Sequence, residues 1–246
     1  STSSWRRDST RFKTTQTCLN CGDYMTVKAV VFDLDGTLVD TAPDLMAATN
    51  HVLALLKRRP ITMPEVRAFV GRGARKLIER GVAATGDAID EASLTYYHAE
   101  FLRHYEGHTA DRSEIFPGVV ALLKRLADSG IKAGVCTNKP EGLSRLLLDT
   151  LDLSRFLETI VGPDTIGIAK PDAAPYLETV KRLGVAPSDS IMVGDSEIDI
   201  LTARAAGVPI VAVSFGYTPK PVIEYGPDYL VSHFDEIWDI LKMRDQ

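Results

Sequence analysis

Six short apolar runs punctuate the chain, and amphipathic stretches separate most of them. Residues 27–32 are nearly all apolar and largely β-branched or aromatic, the pattern of a strand buried on both faces. Similar runs recur at 131–136, 159–161, 191–193 and 210–213, with 229–231 a weaker sixth. Pro209 precedes the fifth run, where its missing N–H breaks no ladder. Residues 119–127, 143–151, 174–183 and 198–206 carry apolar side chains at helical spacing, and 234–241 closes the chain in the same way. Gly130, Gly184 and Gly207 stand where three of these helices should stop. Strands alternating with helices predict an α/β fold, a parallel Rossmann-like sheet with helices on both faces.

One long stretch breaks the alternation. Between Asp40 and Phe116 the pattern predicts no strand, only helices near 45–56, 63–69, 74–83 and 89–104. Thr62-Met63-Pro64-Glu65 reads as a capping box that opens the second of these. Residues 41–115 are therefore expected to form an all-helical cap with its own small core. The catalytic core is then split into 25–40 and 116–246.

Composition narrows the function classes. The chain has 246 residues, 45% hydrophobic and 25% charged, and can bury a full core without disulfides. Its net charge of -5, without a long basic run, argues against nonspecific nucleic-acid binding. No apolar run is long enough to cross a membrane. Three cysteines suit a reducing compartment, and cytoplasmic action is expected. Residues 1–24 lack periodicity and carry +2, from Arg6, Arg7, Arg11 and Lys13 against Asp8 and Asp23, leaving -7 for the remainder. They are expected to be a tail ahead of Met25, and Cys18 and Cys21 within it lack the second ligand pair of a zinc site.

In an open parallel sheet, ligands bind beyond the carboxyl ends of the strands. The first strand is followed by Asp33-Leu34-Asp35-Gly36-Thr37, and the second by Thr137-Asn138-Lys139. The third leads to Lys170-Pro171-Asp172, and the fourth to Gly194-Asp195-Ser196-Glu197-Ile198-Asp199. Singly, each of these residues could be a helix cap, a turn former or a solvated lysine. Together they bring carboxylates, a hydroxyl, an amide and a lysine to one edge. Such carboxylates would repel one another unless a cation joined them. Magnesium fits, since it takes oxygen ligands and substrate phosphate, whereas zinc lacks His partners here and finds only Cys136 nearby. Thr137, Asn138 and Lys170 suit the oxygens of a phosphoryl group.

These four segments, in this order, resemble the motifs of the haloacid dehalogenase superfamily over residues 25–246, and 41–115 resembles its C1-type cap. Within the superfamily the chain most resembles bacterial phosphoglycolate phosphatases, through Asp40-Thr41-Ala42-Pro43-Asp44-Leu45 and Val70-Gly71-Arg72-Gly73-Ala74. The resemblance implies Asp33 as nucleophile and Asp35 as general acid and base. It implies magnesium on Asp33, Asp195 and the Asp35 carbonyl, phosphate on Thr137 and Lys170 with support from Asn138, and Asp199 orienting Lys170 or metal-bound water. Asp at 35 favours phosphoryl transfer over dehalogenation, and Leu34 departs from the lysine of the transport ATPases.

The expected substrate is a small phosphorylated metabolite, 2-phosphoglycolate, and the expected state a monomer or homodimer. Arg72, between two glycines, is the candidate for its carboxylate, with Arg75 second. Other readings are another capped phosphatase, a sugar-phosphate mutase, a phosphonate hydrolase using Lys57 or Lys76, or a noncatalytic binding protein. Tyr96, Tyr97, Phe101 and Tyr105 fall near helical spacing and are expected in the cap core, and His51, His98, His104 and His108 are expected to be solvated or partly buried.

Overall fold

A run such as Ala-Val-Val-Phe has no polar face to offer water, so it must lie in the middle of a sheet. β1 (Ala29–Phe32) does so, pairing in parallel with β4 (Lys132–Cys136) on one side and β6 (Ser190–Gly194) on the other. The computed structural model describes residues 27–244, so the expected tail, Cys18, Cys21 and Met25 lie outside the described residues. β5 (Thr159–Val161) extends one edge, and β7 (Ile210–Val213) then β8 (Tyr229–Val231) the other, giving the order β5-β4-β1-β6-β7-β8. All six strands predicted from the apolar runs are present, and every pairing is parallel.

Helices cover both faces. One apolar cluster packs Leu122, Leu126, Phe234 and Ile237 against Val30, Phe32 and Val193. These come from α5 (Val119–Asp128) and α10 (Phe234–Arg244). The opposite cluster packs Tyr176, Val180, Leu183 and Ala203 against Ala29, Val31 and Met192. Alternate residues of β1 thus serve opposite layers, as a pleated strand requires.

The chain leaves this sheet through β2 (Val39–Asp40) and returns through β3 (Glu114–Ile115), which pair antiparallel with Val39 opposite Ile115. The absence of any strand between Asp40 and Phe116 is corrected here. Two-residue strands have no periodicity to detect, and only tertiary pairing creates β3. Between them stand α1 (Ala42–Leu55), α2 (Met63–Phe69), α3 (Ala74–Thr85) and α4 (Glu91–Gly107). They bury Val52, Leu53, Val66, Ile78 and Phe101 in a separate apolar cluster. At the start of α2 the Thr62 N–H donates to Glu65 Oε2 at 2.8 Å, as its capping sequence predicts. Tyr96 departs from expectation: it is 59% exposed, whereas Phe101 and Tyr105 are buried. Tyr97, Phe101 and Tyr105, spaced four residues apart, share the inward stripe of α4, with Tyr97 half-buried against the cap cluster.

The core is completed by α6 (Glu141–Thr150), a short α7 (Pro163–Ile166), α8 (Ala174–Leu183) and α9 (Glu197–Ala206). Among the described residues no helix is long and apolar enough to cross a membrane.

Candidate active site

Asp33 follows β1 directly, and its N–H still donates to Val193 O at 2.9 Å, so the sheet itself fixes its backbone. The chain then turns sharply at Gly36, whose φ is +87°. A side chain there would be strained, and its Cβ would lie 2.6 Å from Asp195 Oδ2. Thr37 Oγ1, from the same turn, donates to Asp195 Oδ1 at 3.0 Å. The Tyr217 N–H donates to Asp195 Oδ2 at 2.6 Å, and a Cβ on Gly216 would overlap the Asp195 side chain. Asp195 is thus held from both sides at the end of β6.

Lys170 is the hub of the acid cluster. Its Nζ lies 2.8 Å from Asp33 Oδ1 and 2.7 Å from Asp199 Oδ1, with all three side chains buried. The other Asp199 oxygen accepts from Ser196 Oγ at 2.7 Å and from the N–H groups of Ser196 and Asp195 at 3.1 and 3.2 Å. Asn138 sets the Lys170 backbone: Lys170 N–H donates to Asn138 Oδ1 at 2.9 Å, and Asn138 Nδ2 donates to Lys170 O at 3.1 Å. The same Nδ2 also donates to Gly71 O at 3.1 Å, tying the core to the turn before α3. The amide of Asn138 is therefore committed to these backbone partners. Thr137 is buried at the end of β4, its N–H bonded to Val161 O at 3.0 Å and its hydroxyl accepting from Lys139 N–H at 3.2 Å.

Asp35 has separate partners. Its Oδ1 accepts from Thr41 Oγ1 at 2.7 Å and from Lys139 Nζ at 2.8 Å. The Lys139 side chain is only 4% exposed, and its Nζ stands 4.5 Å from the centre of the Tyr105 ring in α4. Sequence reasoning quoted Lys139 as a neighbour of Thr137 and Asn138 without giving it a role. Its signal was position alone, two residues beyond a motif residue. Tyr217 was missed entirely, since nothing local marks it. Its hydroxyl donates to Asp40, accepts from Ala42 N–H at 3.0 Å, and so bridges the loop after β7 to the start of α1.

Charge explains what the cluster lacks. Burial pushes the Asp33 carboxyl up to about 7, with Lys170 pulling against it and Asp199 and Asp35 adding to it. Burial, then the charges of Asp199 and Asp33, hold Asp195 well above the usual carboxylate range. Burial opposes the Lys170 charge, yet Asp199 and Asp33 together hold its pKa above the ordinary lysine value. Burial likewise opposes Lys139, and Asp35 and Tyr105 together more than offset it. Oxygens of Asp33, Asp195 and Asp199 lie within 4.8 Å of one another. No lysine or arginine touches Asp195 among the described residues. A divalent cation with a preference for carboxylate oxygen fits such a charge deficit.

A cleft of ≈ 500 Å³ opens over these groups. Its floor includes Asp33, Asp35, Thr137 and Lys139, and its roof Leu77, Phe101 and Tyr105. The structure does not bring Arg72 or Arg75 into it. The half-exposed Arg72 side chain faces Glu197 at 3.8 Å, on the other side of its loop. Arg75 pairs with Glu91 and reaches Thr95 Oγ1 at 3.3 Å along the outside of α3 and α4.

Residues 30–213 match the family described as haloacid dehalogenase-like hydrolase. A phosphoglycolate phosphatase of Caulobacter vibrioides is 46% identical over 208 residues, covering 85% of this chain and 88% of that protein. One from Mesorhizobium japonicum is 42% identical, covering 85% and 92%. The solved structure of a predicted phosphoglycolate phosphatase from Haemophilus somnus superposes with a TM-score of 0.83 at 28% identity, covering 87% of this chain and 98% of that one.

Proposed function

The chain belongs to the haloacid dehalogenase-like hydrolases, and from that premise we propose that it hydrolyses 2-phosphoglycolate to glycolate and phosphate through a covalent intermediate on Asp33. The carrying observation is the division of labour between two acids two residues apart. Asp33 is gripped by Lys170, while Asp35 is held separately by Thr41 and Lys139.

In the first step an Asp33 oxygen attacks phosphorus, and the bond from phosphorus to the ester oxygen breaks. Asp35 gives its proton to that oxygen, releasing glycolate as the alcohol. In the second step water attacks the phosphorus of the aspartyl-phosphate, and Asp35 takes the water proton. Phosphate leaves and the Asp33 carboxylate is restored. Lys170 orients Asp33 and offsets the charge of the phosphoryl oxygens, with Asp199 holding the ammonium in place. Thr137 is placed to contact the same oxygens, and Asn138 secures the Lys170 backbone. Asp33, Asp195 and the Asp35 carbonyl would hold magnesium, which when bound neutralises the phosphoryl group and the acids around it.

In this reading residues 41–115 are the cap, and 25–40 with 116–246 are the catalytic core. The apolar roof excludes water from the intermediate until hydrolysis. Every group named comes from one chain, so the chemistry is the same in a monomer or a homodimer. We place it in the cytoplasm, a reading supported by the small number of cysteines.

A panel of phosphomonoesters, ranked by kcat/KM from phosphate release with magnesium present, tests the proposal. Phosphoglycolate should rank first. Transfer of the phosphoryl group to a sugar, with no phosphate released, would instead identify a mutase.

A further inference from the structure

Once the substrate's phosphoryl group is assigned to Asp33 and Lys170, its carboxylate still needs a partner. An unpaired carboxylate in a cleft roofed by Leu77 and Phe101 is costly. The expected partners, Arg72 and Arg75, both lie outside the cleft.

We propose that Lys139, beneath Tyr105, is the specificity-determining residue that receives this carboxylate. The proposal rests on the reading of the site as a phosphoglycolate-type hydrolase. Lys139 is the only lysine, arginine or histidine lining the cleft among the described residues. Its position follows from the chemistry of the leaving group. The ester oxygen must lie within hydrogen-bond reach of Asp35, which protonates it. Lys139 Nζ is 2.8 Å from that same carboxyl. A carboxylate one carbon from the ester oxygen therefore falls beside Lys139, and a longer acid would overshoot it. An ammonium has three donors; Asp35 takes one and the Tyr105 hydroxyl lies close to another, leaving capacity for a ligand.

Tyr105 supplies a second indication. It is fully buried and lines the cleft, and its hydroxyl interacts with Lys139 and Thr109 without a hydrogen bond of standard geometry. Buried hydroxyls are rarely left so. A carboxylate held at Lys139 gives the hydroxyl an acceptor while the ring shields the ammonium from water. The selected class is thus a phosphomonoester whose alcohol carries an acid on the adjacent carbon.

The test uses the full chain with magnesium and two substrates of equal length, 2-phosphoglycolate and ethyl phosphate. The quantity read is the ratio of their kcat/KM values, because any effect of Lys139 on Asp35 is common to both. Lys139→Met should lower that ratio about 10-fold or more, chiefly through KM for phosphoglycolate. Lys139→Arg should restore part of it. Tyr105→Phe, which keeps the ring, should lower the ratio about threefold. Should Lys139→Met fail to fold, Lys139→Arg and Tyr105→Phe still carry the test. Equal losses on both substrates would overturn the proposal while leaving the function intact. A wild-type enzyme with no preference for phosphoglycolate would overturn the substrate reading itself, before any variant is made.

Discussion

Lys170 and Asp33 meet at 2.8 Å, both side chains buried, although 137 positions separate them in sequence. Burial pushes the Asp33 carboxyl up to about 7, and Lys170 is the main force holding it down. Without that ammonium the carboxyl of the nucleophile would be pushed higher still.

Asp33→Asn replaces the nucleophilic carboxylate with a neutral amide and keeps the shape. Turnover should fall at least about 1,000-fold, with a melting temperature near that of the wild type. Phosphate release and thermal unfolding together check this, and wild-type activity in the variant would refute the covalent route.

Lys170→Ala leaves the Asp33 and Asp199 side chains buried without their shared cation. Breaking a buried pair in this way costs about 3–5 kcal/mol. Urea unfolding of the metal-free variant should show a lower midpoint, and an unchanged midpoint would mean that Asn138 and Ser196 suffice to hold the site.

Protons and magnesium should compete for the acids. Asp33 has a pKa of about 7 in the fold, against about 4 in an unfolded chain. The folded, metal-free protein thus binds a proton near neutral pH that the unfolded chain has released. Its stability from this group falls as pH rises from about 4 through 7. Magnesium stabilises the ionised acids, so the increase in melting temperature on adding it should be larger near pH 8 than near pH 5.5. An increase independent of pH would contradict this. Chelation of the metal should stop turnover.

Gly216→Ala places a methyl group where Asp195 now stands. Asp195 must move, and the amide of Tyr217 moves with it. The concentration of magnesium needed for half-maximal activity should rise about 10-fold, as losing one oriented ligand implies. Titration of activity against magnesium reads the shift directly.

Arg72→Ala separates two accounts of specificity. Its side chain forms a long, exposed pair with Glu197, a kind of contact worth little. The ratio of phosphoglycolate to ethyl phosphate turnover should change less than about threefold. A loss as large as that of Lys139→Met would return the carboxylate to Arg72.

The apolar runs determined the sheet, because a strand with no polar side must be central and parallel strands need helices between them. The motif residues at the strand ends were legible for the same reason, since topology sends every such end to one edge. Residues 41–115 read as helical throughout, because a period of 3.6 persists over many turns. What sequence could not carry was any partnership made across distance. β3 exists only because Glu114 and Ile115 fall opposite Asp40 and Val39. Tyr217 has no local mark, and matters because its amide and hydroxyl meet Asp195 and Asp40 from another loop. The sequence pattern left Lys139 without a role and marked Arg72 by its flanking glycines. Tertiary structure alone buried the first against Asp35 and Tyr105 and turned the second outward to Glu197. Periodicity is a property of neighbours in the chain, whereas the electrostatic worth of a charge is decided by burial and by partners that only the fold brings close.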